Sequence, residues 1–454
     1  MPSWSVAISG GGHRASLFGV GALQYLADAG LNAEVTSIAS VSGGSLTNGY
    51  LGAHLDYPAV SGPEFDAAVA PLVKRCAVQG TVQWAPEAVA LLVGIGVGVV
   101  VAIGAWFLPV AGWLRLVLCL LGLVLALGLL ESRSVVADRI FRRLLFSTPD
   151  GGAIRLADLN PSVTHLLCAT EVQSKVHAYL SRGFAYSYEF GTSTGAGRLP
   201  LSTAVQASAC FPGGFAPRSL SAAKLGFTAP HRKTLWLVDG GVYDNMGEQW
   251  AQRFAERMAG NAELAALAGT APENLLVVNA SARAGWSTAP WLMRVPLLGE
   301  LLTLLREKGI LYQVGTTNRR YGLVRQFDTV RLGLALPSGP QRDSLLASAG
   351  LNGALTNIAT NPRWPSTARL PSPPEQAACA AVAAKLAAYP DQSWIDQAGP
   401  LANKVPTTLA KVGRDRAAAL LWLGYVLTMA NLHIFFDAPL YDLPTRQRFE
   451  SLMG

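Results

Sequence analysis

Charge is scarce in this chain. Lys, Arg, Asp and Glu make up 14% of its 454 residues, against roughly 25% in ordinary soluble proteins, while hydrophobic residues reach 50%. That balance excludes a disordered or fibrous chain and argues against a purely soluble one. The basic excess, 36 against 29 for a net +7, is spread too thinly for a nucleic-acid surface and suits a membrane surface better. Cysteine is also sparse. Cys76, Cys119, Cys168, Cys210 and Cys379 form no CxxC pair and are odd in number, which excludes a disulfide framework or a zinc cluster and fits small buried hydrophobes in a reducing compartment. The segment Met1–Ile8 lacks the basic region and apolar run of a secretory signal, so a cytoplasmic N-terminus is expected. Neither a full GxGxxG nor a P-loop GxxxxGK occurs, nothing repeats at a fixed period, and no motif calls for a metal or a cofactor.

The sharpest absence lies between Glu87 and Glu131, where 43 residues hold one charge, Arg115, and no Ser, Thr, Asn, Gln or His. A single helix of that length would run about 64 Å, twice the ~30 Å hydrocarbon thickness. Pro109 and Gly112 interrupt it near its middle, so two membrane-spanning helices over about 89–108 and 113–130 are expected, joined by a tight turn. Lys74 and Arg75 precede the hairpin and Arg133, Arg139, Arg142 and Arg143 follow it. Positive flanks stay inside, which predicts a two-span membrane protein with both ends and the body cytoplasmic. The run Ala417–Phe436 contains Thr428, Asn431 and His433 behind Arg414, Asp415 and Arg416, and reads as a packed C-terminal helix rather than a third span.

The remainder is α/β in pattern. A strand over Trp4–Ile8 leads through a glycine turn into a helix ending near Gly30, and a strand over Val35–Val41 leads through Ser42-Gly43-Gly44 into another. Strand–turn–helix twice within 50 residues predicts a parallel sheet. Further strands are expected over Thr164–Thr170, Thr234–Val238 and Asn274–Asn279.

Four constellations can carry chemistry. Gly10-Gly11-Gly12-His13-Arg14 sits between strand and helix, where converging amides and a helix N-terminus can hold a phosphate or an oxyanion. Ser40-Val41-Ser42-Gly43-Gly44 matches GxSxG except for Ser40 at the first position, which is still small enough for a strand-to-helix elbow. Thr234 to Gly241 ends an apolar strand in Asp239-Gly240-Gly241, with Asn245 shortly after, placing a carboxylate at a sheet edge; as neighbouring parallel strands, this one and Val35–Val41 would end side by side and bring Asp239 within reach of Ser42. Ala207 to Pro217 is an apolar loop ordered by Pro and Gly and suited to lining a pocket. None of the six histidines has the surroundings of a triad base or metal-ligand spacing.

Taken in order, these motifs closely resemble the patatin-like phospholipase family, related to the cytosolic phospholipase A enzymes. The resemblance covers about 1–60 and 160–285, more weakly 300–327 and the C-terminal helix, and leaves the hairpin outside. It implies a three-layer α/β/α sandwich with a mostly parallel central sheet, here interrupted by an inserted transmembrane hairpin. It also implies hydrolysis of acyl esters by a Ser–Asp dyad: Ser42 as nucleophile, Asp239 as base, Gly10, Gly11, Gly12 and Arg14 at the oxyanion hole, Gly43 and Pro212 at the substrate. The domains expected are 1–87 and 132–330 as two parts of one catalytic unit, 88–131 as the hairpin, 331–410 as loop or lid, and 411–454 as the packed helix. Membrane lipids are the expected substrate and the bilayer the expected partner; the oligomeric state stays open. Two other readings share these motifs, an esterase for small soluble esters and an inactive membrane scaffold.

Overall fold

The computed structural model describes residues 3–212, 214–228, 233–280, 328–332 and 373–454. Ten strands form one sheet: β1 (Trp4–Ile8), β2 (Val35–Val41), β3 (Thr164–Glu171), β4 (His177–Leu180), β5 (Ala185–Ser187), β6 (Gly191–Ser193), β7 (Arg218–Ser221), β8 (Thr234–Asp239), β9 (Asn274–Val278) and β10 (Asp328–Leu332). The main path runs β10-β9-β1-β2-β3-β4-β5-β6. Its centre, β10 through β3, is parallel, and the β4–β6 margin is antiparallel. The short strands of that margin escape periodicity reading because three residues cannot show an alternation.

Side chains alternate between two cores, as a half-turn per residue requires. Val6, Ile8, Ile38, Leu276 and Val278 enter one core with the long helices. Ala7, Leu275 and Val277, and Ala39 and Val41, face the other, which the helical turns Gln249–Gln252, Phe254–Ala259 and Ala262–Leu267 cover. Helices therefore lie on both faces of a mostly parallel central sheet.

Helix α1 (His13–Asp28) is buried along nearly its whole length, between the sheet and the C-terminal helix Arg414–Phe436; α2 (Gly43–His54) and α3 (Gly62–Lys74) follow it in the chain. Glycines bring these two helices together: a Cβ on Gly21 would sit 2.0 Å from the Leu421 carbonyl oxygen, and one on Gly424 2.2 Å from that of Phe18. This explains the apolar C-terminal run without a membrane. The 331–410 region, expected as loop or lid, carries helices over Pro373–Ala387 and Gln392–Asn403; its other residues up to 372 lie almost entirely outside the described ones.

Three described helices are long and apolar enough to cross a membrane, one more than the two spans expected. The C-terminal candidate is 94% buried over its most apolar window, whereas α4 (Pro86–Gly104, extended by a turn to Phe107) and α5 (Gly112–Glu131) are each 11% buried. Within the hairpin the contact is made by small residues. A Cβ on Gly98 would lie 2.8 Å from the Gly122 oxygen, and one on Gly122 2.5 Å from the Ala102 amide. Close backbone approach through small residues four apart is how helices associate in lipid.

Candidate active site

The turn after β2 is set by sterics. Ser42 adopts φ 51, ψ −119, a conformation costly for a non-glycine residue and frequent where function demands it. Helix α2 (Gly43–His54) then starts against the glycine loop. A Cβ on Gly43 would fall 1.9 Å from the Gly12 oxygen, and one on Gly44 2.7 Å from the Ser9 oxygen, so the elbow needs both glycines. Ser40, the departure from GxSxG, fits because its hydroxyl has work: it meets Ser45 Oγ at 3.0 Å, donates to the Leu166 carbonyl at 3.1 Å and accepts from Asn48 Nδ2 at 2.8 Å. The buried network continues to Ser208, whose Oγ meets Ser45 Oγ at 2.8 Å, donates to the Cys168 carbonyl at 2.6 Å and accepts the Ser42 amide at 3.0 Å. Ser208 thus fixes the elbow from behind.

The carboxylate arrives by a route that sequence order did not indicate. Neighbouring parallel strands were expected to end side by side. Instead β8 runs antiparallel to β3. β2 pairs with Thr164–Cys168 and β8 with Ala169–Glu171, while β4 holds the opposite edge across Leu167–Thr170. β2 and β8 therefore share one edge of β3 and meet head to head, with Val41 opposite Cys168 and Asp239 opposite Ala169. Asp239 Oδ1 accepts the Gly241 amide at 2.7 Å, and its own amide donates to the Cys210 carbonyl at 2.9 Å. Oδ2 closes no hydrogen bond of full geometry, yet the Ser42 hydroxyl is near enough to favour the ionised carboxyl. Burial outweighs that effect and pushes the Asp239 pKa up to about 6.

The four expected oxyanion residues divide. The Gly10 amide is spent on the Asn245 carbonyl at 2.9 Å. Gly11 and Gly12, at φ 147 and 60, donate to no backbone carbonyl among the described residues, and Gly43 is likewise uncommitted. The Arg14 side chain is committed elsewhere. Its buried guanidinium holds the carbonyls of Ala280 and Val405 at 2.6 Å each and Thr407 Oγ1 at 3.2 Å. It clamps the loop. Arg14→Ala would strand those carbonyls and should cost about 3 kcal/mol of stability in chemical denaturation; an unchanged midpoint would remove the clamp.

Asn245, mentioned in sequence only as a neighbour of Asp239, joins the two halves. Besides holding Gly10, its Oδ1 would lie 2.6 Å from a Cβ on Gly241. Pro212 is half-buried, two residues beyond Cys210. Among the described residues no histidine bonds Ser42 or Asp239. His13 contacts the Ala410 carbonyl and Thr81 Oγ1, at 2.8 and 3.0 Å, and His165 contacts Asn48 Oδ1 at 2.7 Å; burial lowers both to about 4. His231 lies outside the described residues. A hollow lined by Asp28, Tyr425 and Arg448 lies at the other end of α1, about 20 Å from the glycine loop, and its arginine is taken up by Asp28 and Asp66. No group of three or more His, Cys, Asp or Glu among the described residues could hold a metal.

A family model described as patatin-like phospholipase matches residues 6–249, more than half of the chain and inclusive of Gly10, Ser42 and Asp239. Among solved structures, human GIVD cytosolic phospholipase A2 is similar at 12% identity and a TM-score of 0.45, with 100% of this chain and 60% of that one covered. VipD from Legionella pneumophila is similar at 14% identity and a TM-score of 0.30, with 75% and 63% covered. The chain spans less than two thirds of either. No curated protein matches.

Proposed function

The chain belongs to the patatin-like phospholipase family, and from that premise we propose that it is a membrane-anchored serine hydrolase cleaving the carboxylic esters of phospholipids or related acyl lipids. One observation supports the reading: a strained serine and a buried carboxyl with raised proton affinity lie where β2 and β8 meet, and the glycine loop, its Gly11 and Gly12 amides uncommitted among the described residues, packs against the same elbow. In the first half-reaction Ser42 Oγ attacks the ester carbonyl carbon while Asp239 takes the hydroxyl proton. The amides of Gly11 and Gly12 stabilise the oxyanion, each well-placed donor contributing about 3–4 kcal/mol. The C–O bond then breaks and Asp239 returns the proton to the leaving alkoxide. In the second, water attacks the acyl-enzyme with Asp239 again as base, releasing the fatty acid and restoring Ser42.

The exposed hairpin supports a lipid rather than a soluble substrate. α4 and α5 are the two spans and hold the body against the bilayer that contains its ester, which raises local concentration without new contacts. Their basic flanks support a body on the cytoplasmic side. A fluorophosphonate probe should label the protein and fail to label Ser42→Ala; equal labelling of both would end the serine-hydrolase reading. Turnover should rise with acyl length, whereas a preference for short soluble esters would favour the esterase alternative.

A further inference from the structure

The hairpin enters and leaves the body at the site itself. At its entry, the Thr81 amide donates to the Leu409 carbonyl at 3.0 Å and Thr81 Oγ1 meets His13 Nε2 at 3.0 Å, one residue beyond the glycine loop. At its exit, α5 passes into α6 (Arg133–Leu145), where the Ser134 hydroxyl donates to the Ala216 carbonyl and lies 3.6 Å from Cys210 Sγ. Cys210 in turn holds the Asp239 amide. Arg143 grips Glu87 with two bonds of 2.7 and 2.9 Å, tying the base of α4 to α6.

Around these roots large apolar side chains stand exposed beside polar ones. Trp84 is 81% exposed, Val135 41% and Phe211 42%. Trp84 also takes φ 64, which a bulky residue seldom adopts. Val135, Arg139 and Arg142 are all exposed and share one face of α6 at i, i+4 and i+7. Moving away from the root, that stripe passes from apolar to cationic over about 6–10 Å, similar to the depth of one headgroup layer, about 5–7 Å.

We propose that this face lies in the membrane interface, with Val135, Trp84 and Phe211 at the acyl boundary and Arg139 and Arg142 among the lipid phosphates, so that Ser42 takes its ester directly from the leaflet. The inference rests on the hairpin being a membrane anchor and on the hydrolase reading. It commits to a lipid surface as the partner because the stripe is graded from apolar to cationic and begins one turn beyond Glu131, where the hairpin ends.

The test uses the full-length protein in vesicles of phosphatidylcholine and phosphatidylglycerol. Val135→Asp and Trp84→Asn, the second of which relaxes the backbone, should each lower hydrolysis of vesicle phospholipid about tenfold. Turnover of soluble p-nitrophenyl butyrate should stay within about twofold. Both rates falling together, or neither falling, overturns the placement. A second readout is independent of catalysis: an environment-sensitive fluorophore on Val135→Cys, with Cys119 and Cys379 replaced by Ala, should be quenched by brominated lipid. An unquenched label overturns the inference. Quenching in a protein inactive on both esters would instead leave the placement standing and remove the hydrolase reading.

Discussion

Ser42→Ala should abolish ester hydrolysis, and Asp239→Asn should come close to it, with both variants folded. The expected loss is on the order of 10⁴-fold or more, and the double variant should be hardly worse than either single one, because nucleophile and base act as a unit. The raised Asp239 pKa of about 6 gives two further readouts. Asp239 must be ionised to accept the serine proton, so kcat/KM should be level above that pH and fall about tenfold per unit below it. The stability effect has the opposite sense. The folded-state pKa lies above the ordinary 3.8, so stability is lost as pH rises from about 4 through about 6, amounting to about 2–3 kcal/mol at neutral pH. Asp239→Asn should recover much of it and melt higher than the parent while being inactive, a pairing that a merely structural residue would not produce. Gln in place of each histidine should leave substantial turnover. A histidine variant as silent as Ser42→Ala, with folding unchanged, would replace the dyad with a triad.

What could be read from sequence was what short-range sterics and periodicity encode. Gly43 and Gly44 announce a close approach of backbones, and the Ser40 to Gly44 spacing announces the elbow. The run to Asp239 shows a strand ending in a carboxylate. What could not be read was topology. Nothing in Thr234–Asp239 says that it runs antiparallel on the same edge of β3 that β2 leaves vacant, since pairing depends on residues some seventy positions away. The same limit applies to donors. Four residues of one motif look equally able to stabilise an oxyanion, but the Gly10 amide is taken by Asn245 and the Arg14 side chain by three oxygens beyond residue 279, partners that no local pattern reveals. In the hairpin a signal was present and unused: Gly94, Gly98 and Ala102 recur every four residues and form the face that α5 approaches.

Removing residues 88–130 and closing the gap with a short Gly/Ser linker should move the protein from the membrane to the soluble fraction with its fold retained. The apolar content sets the size of the effect. The segment holds 25 Leu, Ile, Val and Phe residues, each worth about 0.3–0.6 kcal/mol on insertion, for a total on the order of 10 kcal/mol. Arg115 subtracts little because it stands in the first turn of α5, where its long side chain reaches the interface. The fold should survive because the hairpin helices are 11% buried, while the body keeps both cores and the packing of α1 on the C-terminal helix. Sedimentation after an alkaline carbonate wash decides the matter. If the deleted protein still pellets with membranes, the hairpin is not the anchor, and the C-terminal helix becomes the suspect. That helix could insert only by leaving α1, and Gly21 and Gly424 fit their partners too closely for it to do so with the body intact. Retained sedimentation would therefore have to come with loss of the native fold, which circular dichroism and fluorophosphonate labelling of the same sample would register.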